Sequence, residues 1–239
     1  TFCASHTVHG RKLRFRSVEN VIAEVKGLYE EHGVTTIIPE DDLFTGNRKK
    51  VIELLDAFEK IDIPNFELHF PNALSVNTLH DDVMDALMRA GMSVTSIAIE
   101  SGNDFVQREI IKKRVKLDRA REVVEYLRSR SVIVRCFFIV GFPGETKEQM
   151  METVEFAKSL GADWCFFGVA VPLIGSEMYD QFADLGVITK DTEQWANTVY
   201  GTRSFDTKEI SPEEIEALAY RTNLDVNFLN NSNFKLKQY

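Results

Sequence analysis

The chain is poor in cysteine and proline and has no excess of positive charge. Its 239 residues include 3 cysteines and 6 prolines, and its formal net charge is −9. So few cysteines, set far apart, exclude a disulfide framework and a zinc ribbon and favour a reducing compartment, the cytoplasm. The acidic balance excludes non-specific nucleic-acid binding by the chain as a whole. No apolar run reaches the roughly 18 to 20 residues of a membrane-spanning helix.

What the chain does contain is a regular alternation of strand and helix patterns. Helices are predicted over residues 18–32 and 47–60, with Ser17 as the N-cap of the first and Gly33 ending it. Thr146 is the expected cap of a helix that ends near residue 160, and Ser211, followed by Pro212, is expected to begin the last helix. The predicted strands cover residues 34–39, 66–70, 94–99, 132–140 and 163–171, and Pro71-Asn72 is expected to end the second. Alternation of this kind predicts parallel βαβ units, wound as an open sheet or as a barrel, and we favour the barrel.

Polar and glycine-rich segments follow these strands. They are Glu40-Asp41-Asp42, Asn72, Glu100-Ser101-Gly102-Asn103 and Gly141-Phe142-Pro143-Gly144-Glu145. In parallel α/β folds, ligands bind beyond the carboxyl ends of the strands. We therefore expect the functional site to be built from these segments.

Four of the motifs occur in the order found in a known family. Residues 1–6 resemble the end of the C-x-x-x-C-x-x-C loop of radical S-adenosylmethionine (radical SAM) enzymes, in the form seen in members with an N-terminal cobalamin-binding domain. Residues 38–44 resemble the acidic turn of that subgroup, residues 97–102 its ribose-contacting strand end, and residues 138–146 the motif that packs on adenine. Singly, only the cysteine loop and the Phe-Pro-Gly-Glu-Thr strand end are specific, and the resemblance covers about residues 1–185.

The resemblance implies an α/β fold: a partial TIM-type (β/α)6 barrel over residues 1–188, with its first strand missing from this chain, followed by a helical extension at 189–239. Cys3 would be the third of three cysteines that hold a [4Fe-4S] cluster, and the other two would precede Thr1. One thiolate cannot hold such a cluster. We therefore expect the chain by itself to be inactive, an N-terminally truncated fragment with no cofactor bound.

The resemblance also assigns roles to individual residues. Glu40, Asp41 and Asp42 would accept hydrogen bonds from the ammonium group of S-adenosylmethionine. Glu100 and Ser101 would offer a hydrogen-bond acceptor and a donor to the ribose. The turn with Gly141 and Pro143 would bring the backbone at Ile139 close to the adenine. The alternative for every one of these segments is ordinary turn and helix-capping chemistry.

The expected activity is reductive cleavage of S-adenosylmethionine to a 5′-deoxyadenosyl radical. Cobalamin-assisted methylation is the further reaction that the subgroup implies, with the cobalamin on an N-terminal domain absent from this chain. The expected partners are a reductant such as flavodoxin or ferredoxin and a small-molecule or RNA substrate. Neither the substrate nor the oligomeric state follows from the sequence.

Three other interpretations are open. The spacing Cys3-x-x-His6-x-x-His9 is compatible with a zinc or other transition-metal site. Glu40, Asp41, Asp42 and His69 could instead serve a TIM-barrel divalent-metal hydrolase or lyase. Finally, the domain could be a non-catalytic binding module. Cys136 and Cys165 lie in apolar strand patterns and are expected in the core.

Overall fold

The structure is a computed structural model that describes residues 1–10, 12–188, 205–207 and 209–231. The chain divides into two compact units. The first unit contains Thr1–Gly10, Ile99–Arg121 and Arg135–Tyr239, and the second contains Arg11–Ala98 and Glu122–Val134. The strand order in the five-stranded sheet is the order in which the strands occur in the chain.

The second unit holds the first three strands, which pair in parallel, and the helices between them. The elements are helix α2 (Val18–His32), strand β1 (Thr36–Ile37), helix α3 (Arg48–Glu59), strand β2 (Glu67–Ser75), helix α4 (Asp81–Arg89) and strand β3 (Met92–Glu100), whose last two residues belong to the first unit. Ser17 caps α2 by accepting a hydrogen bond from the Asn20 amide, and Gly33 ends it in the left-handed conformation. Both predicted ends of this helix are confirmed.

The predicted end of β2 is wrong. The strand continues through Pro71 and Asn72 to Ser75, with a register shift between Phe70 and Leu74. Ala73 has a φ of 73°, which is left-handed. A bulge of this kind accommodates a proline, because the missing N–H falls where the ladder is already interrupted. The first predicted strand was also too long, since only Thr36–Ile37 is extended and paired.

The first unit begins with a short helix and then holds the later strands. It contains α1 (Ser5–His9), most of β4 (Ile133–Val140), α6 (Lys147–Leu160), β5 (Trp164–Val169), α7 (Glu177–Asp184) and α8 (Pro212–Leu224), while α5 (Leu117–Ser129) has residues in both units. Strands β4 and β5 are parallel, with Cys136 opposite Cys165. Both cysteines are buried, as predicted.

The predicted helical extension lies partly outside the described residues, which omit 189–204, 208 and 232–239. Its described part is helical. Ser211 and Glu214 form a capping box at the start of α8, Pro212 occupies the first turn, and a π-helical turn, Asp225–Leu229, follows the helix. The predicted start of this last helix is confirmed.

The parallel strands and intervening helices confirm the predicted α/β class. In the described part of the chain, no helix has both the length and the apolar character needed to cross a bilayer.

Candidate cofactor site

The turn after β4 is the most tightly organised part of the candidate site. Gly141 has a φ of 84° and Gly144 a φ of 76°, which are conformations that favour glycine. The backbone amides of Gly141 and Phe142 both donate to Oε2 of Glu145, at 2.8 and 3.1 Å. Thr146 then begins α6 with a capping box. We call residues 141–145 the glycine turn.

Glu145 has a structural role that the sequence alone did not reveal. Its side chain is fully buried, and its Oε1 has no hydrogen-bond partner among the described residues. Burial raises the pKa of this carboxyl to about 8, although the two backbone amides favour the charged form. A buried carboxyl that holds two consecutive amides fixes the shape of the glycine turn. The feature of the sequence that could have indicated this role is the position of Glu145, four residues after the first glycine of the turn.

The segment that carries Cys3 lies against the glycine turn. The ring of Phe2 packs on that of Phe142, with 5.9 Å between centroids. Thr1 is anchored as well, because its backbone oxygen accepts from the Met178 amide at 3.1 Å. Cys3 is exposed, and its sulfur accepts a hydrogen bond from the Ser5 amide at 3.4 Å. The structure thus places Phe2, the residue before Cys3, against the glycine turn.

The end of β3 is held in a strained conformation. Glu100 has a φ of 75°, which is uncommon for a residue other than glycine. The side-chain amide of the buried Gln107 donates from Nε2 to the carbonyl oxygens of Ile99 and Ser101, both at 2.7 Å. These two bonds hold the backbone on either side of Glu100. Strained residues of this kind are concentrated at functional sites. Gln107 lies in a π-helical turn, Val106–Ile110, that the sequence pattern did not indicate.

The Glu100 carboxylate is paired rather than free. Nζ of Lys113 lies 2.8 Å from Oε1 of Glu100, and both side chains are largely buried, with 20% and 9% exposed. The neighbours of this lysine, Lys112 and Arg114, have positive φ values of 54° and 56°. The loop is therefore bent so that Lys113 reaches the end of β3. Such a pair puts a cation and an anion beside the proposed ribose position.

Ser101 and Gly102 are fixed to α6. The Ser101 hydroxyl lies 3.0 Å from the hydroxyl of Thr153, and the Gly102 amide donates to the same oxygen at 3.0 Å. Ser101 is fully buried and accepts from the Asn103 amide at 3.2 Å. A ribose contact by the Ser101 side chain stays a prediction.

The acidic segment of the second unit lies on the surface. Glu40, Asp41 and Asp42 are exposed. The side-chain amide of Asn72, which projects at the bulge of β2, donates to Glu40. The structure therefore joins the acidic segment to β2. Its contact with an ammonium group also stays a prediction.

The remaining predicted residues lie beside the glycine turn. Ile139 is partly buried and packs on the apolar cluster that includes Phe142. Pro143 is half-buried within the turn. Both are placed in the first unit with Cys3 and Glu100.

No metal site is assembled from side chains of the described residues. No group of three or more His, Cys, Asp or Glu side chains in this part of the chain is arranged to hold a metal ion. This finding removes support from the Cys3, His6 and His9 set. It does the same for the hydrolase interpretation, because His69 instead contacts Glu67 at 2.7 Å.

Comparison with known proteins decides the family. Residues 1–157 match the family model described as the radical SAM superfamily. The chain belongs to the radical SAM superfamily. It is 30% identical over 234 residues to cytidylyl-2-hydroxyethylphosphonate methyltransferase of Streptomyces wedmorensis, with 95% of this chain and 43% of the relative aligned. It is 31% identical over 179 residues to an uncharacterized methyltransferase of Pyrococcus horikoshii, covering 75% of this chain and 38% of that protein.

Solved structures agree on the fold of this radical SAM chain. The radical S-adenosylmethionine methyltransferase TsrM from Kitasatospora setae, solved with cobalamin and a [4Fe-4S] cluster, matches with a TM-score of 0.60 and 19% identity over 70% of this chain and 32% of TsrM. The cobalamin-dependent S-adenosylmethionine radical enzyme OxsB matches with a TM-score of 0.57 and 17% identity, over 77% of this chain and 27% of OxsB. The predicted family and fold are confirmed. The chain spans less than half the length of these relatives.

The cofactors that the family implies fit this chain unequally. Two of its three cysteines are buried in β4 and β5, so Cys3 is the one exposed thiol among them. These residues by themselves do not fit a [4Fe-4S] cluster, which needs a fuller set of thiolates. S-adenosylmethionine fits better, because the first unit offers a glycine turn with exposed backbone at Gly144 and an ion pair at the end of β3.

Proposed function

We propose that the chain is the S-adenosylmethionine-binding core of a cobalamin-assisted radical SAM methyltransferase. The observation that carries the proposal is the alignment of 95% of the chain with a methyltransferase at 30% identity. The fold likeness to a methyltransferase solved with cobalamin bound and to a cobalamin-dependent radical enzyme supports it. The substrate, the methylated position and the cobalamin belong to the whole protein, and all three are part of the proposal.

The glycine turn and the end of β3 would hold the nucleoside part of S-adenosylmethionine. The exposed backbone at Gly144 leaves room for a flat base, since no atom lies within 4 Å of the position that a Cβ would take there. Ile139 would pack against that base. Glu100 is paired with Lys113, and Gln107 holds the backbone on either side of it. Its carboxylate would accept hydrogen bonds from the ribose hydroxyls. Glu40, Asp41 and Asp42 would accept from the methionine ammonium group.

Cys3 would supply one ligand of the cluster. The side chain of Cys3 is exposed, and its sulfur accepts a hydrogen bond from the Ser5 amide. A reduced cluster, when bound, supplies the electron that cleaves S-adenosylmethionine. The residues of this chain contribute binding and orientation: Phe2 against Phe142 ties the Cys3 segment to the glycine turn.

Members of the family use a reductant and a substrate. A flavodoxin or ferredoxin as the reductant, a small-molecule or RNA substrate, and a location in the cytoplasm remain proposals for this protein.

The role of Cys3 is tested in the protein expressed from its whole gene and reconstituted anaerobically with iron and sulfide. We expect Cys3→Ala to lose the [4Fe-4S] signal in electron paramagnetic resonance and the formation of 5′-deoxyadenosine. Cys136→Ala is the matched control, since this cysteine is buried in β4, and it should keep both. An unchanged cluster signal in Cys3→Ala would refute the assignment.

A further inference from the structure

The outer edge of β5 is closed by asparagine side chains. Strand β5 pairs with β4 through one side of its backbone. In a parallel strand, alternate residues direct their N–H and C=O groups to the opposite side, where an uncovered edge leaves them unpaired. In β5 these residues include Cys165 and Phe167, and both of them bond to α8 or to the π-helical turn that follows it.

Two of the asparagines each form a pair of hydrogen bonds with one strand residue. Oδ1 of Asn227 accepts from the Cys165 amide at 2.7 Å, and its Nδ2 donates to the Cys165 oxygen at 2.6 Å. Asn223 makes the same pair with Phe167, at 3.0 and 2.8 Å. Asn231 continues the series by donating to the Asp163 oxygen at 3.0 Å. We call Asn223, Asn227 and Asn231 the asparagine ladder.

The ladder fits because the helix and strand repeats nearly match. Four helical residues advance about 6 Å and two strand residues about 6.6 Å, so asparagines spaced by four meet every second residue of β5. The second proton of each amide is used as well: Asn223 donates to the Ala219 oxygen and Asn227 to the Asn223 oxygen, both at 2.9 Å. A carboxamide has one acceptor and two donors, and these side chains use all of them.

The other end of α8 touches the glycine turn. Ile215 is fully buried, and a Cβ placed on Gly141 would lie 2.9 Å from its Cγ2. Gly141 is also the residue whose amide is held by Glu145. The same helix therefore contacts the strand edge through its asparagines and the glycine turn through Ile215. Nothing in the sequence pattern connected residues 211–231 with the site.

We propose that α8 is a positioning element of the nucleoside site: the asparagine ladder fixes the helix on the edge of β5 and thereby holds Ile215 against Gly141. This inference rests on the proposed function only in taking the glycine turn as the nucleoside contact. Ile215 and Asn227 are positioning residues on this view. They act through Gly141 and touch no ligand.

Hydrogen exchange of the 239-residue chain, followed by mass spectrometry, tests the mechanical link. Ile215→Ala removes the contact with Gly141, and Asn227→Asp removes two donors and puts a carboxylate beside two carbonyl oxygens. We expect both variants to speed exchange in residues 138–146 by about tenfold or more, since a lost packing or hydrogen-bond contact lowers the local opening free energy by about 1.4 kcal/mol or more. Exchange in α3, which belongs to the second unit, should not change.

Matched controls lie on the same segment. Leu224→Ala shortens an apolar side chain that is 41% exposed, and Asn230→Ala removes an exposed asparagine whose amide contacts Asp225. Neither should alter exchange in residues 138–146. Ile215→Val should restore most of the protection that Ile215→Ala loses, because it keeps the branched carbon next to Gly141.

Binding of S-adenosylhomocysteine gives a second measurement that a purely structural role would leave unchanged. We expect Ile215→Ala to raise the dissociation constant about tenfold while Ile215→Val and Leu224→Ala match the wild type, since small errors in positioning weaken a preorganised site strongly. If the wild-type chain binds no S-adenosylhomocysteine, the nucleoside role of the glycine turn fails for this chain, and the exchange measurement alone decides the mechanical link.

The inference is overturned if Ile215→Ala leaves both exchange in residues 138–146 and nucleoside affinity at wild-type values. It is also overturned if Asn227→Asp speeds hydrogen exchange in residues 163–169 and 211–231 but not in residues 138–146. If Asn227→Asp unfolds the chain, the Ile215 series still decides between these outcomes.

Discussion

Replacing Glu145 with glutamine should change how the stability of the protein depends on pH. The carboxyl is buried, holds the amides of Gly141 and Phe142 through Oε2, and has an Oε1 with no hydrogen-bond partner among the described residues. Glutamine keeps an oxygen for the two amides but does not titrate. The difference between the two proteins therefore isolates the ionisation of this one group.

The magnitude follows from the raised pKa. Burial raises the pKa of Glu145 from the ordinary 4.5 to about 8, so the folded state binds the proton more tightly than the unfolded state does. The neutral form stabilises the fold fully below pH 4.5, and this contribution is lost as the pH rises toward 8. Between pH 5 and 7 the loss is about 2.5 kcal/mol. Glu145→Gln should therefore gain about that much stability relative to the wild type over this range.

Urea unfolding at pH 5, 6 and 7, followed by tryptophan fluorescence, measures the effect. The control is Glu148→Gln, three residues further on and exposed, where hydrogen bonds to the helix N-terminus lower the pKa of the carboxyl instead. That control should show no such gain. If the free energies of unfolding of wild type and Glu145→Gln run parallel from pH 5 to 7, the carboxyl is not held neutral by burial.

Two further predictions concern the contact between the end of β3 and α6. Gly102→Ala should destabilise the protein by about 2 to 3 kcal/mol, because its Cβ would lie 2.5 Å from Cβ of Phe156. Thermal unfolding checks it against Gly27→Ala, which has open space in α2 and should be neutral or slightly stabilising. Thr153→Val should cost about 1 to 3 kcal/mol, because the partly buried Gly102 amide loses its acceptor. Urea unfolding measures this loss, and Thr153→Ser should recover it. A Thr153→Val protein as stable as the wild type would contradict the role given to the hydroxyl.

The sequence was most informative where local chemistry alone sets the structure. Ser17, Thr146 and Ser211 each begin a helix as predicted, because a hydroxyl that caps the first turn acts on amides three residues away. The family was also recognisable, since the motifs that carry it are short and contiguous. The ends of the strands were harder: β2 continues through Pro71 because a bulge, formed only with the neighbouring strand, accommodates it.

The roles of individual side chains in the site were less accessible. Glu145 read as an ordinary residue at a helix start, yet it is buried and holds two amides of the glycine turn. Ser101 was taken for a ribose donor, and its described contacts are with Thr153 and Asn103. Its partner on α6 is distant in sequence, so no local pattern could reveal the pair.

By itself, the sequence determined the α/β class, the helix starts, the family and the segments that follow the strands, because each depends on neighbouring residues or short motifs. Tertiary structure alone decided that Lys113 pairs with Glu100, that Phe2 packs on the glycine turn, and that asparagines of α8 and of the turn after it bond to the edge of β5. Those contacts join residues far apart in the chain. Their energies come from burial and hydrogen bonding, which exist only once the strands and helices have packed.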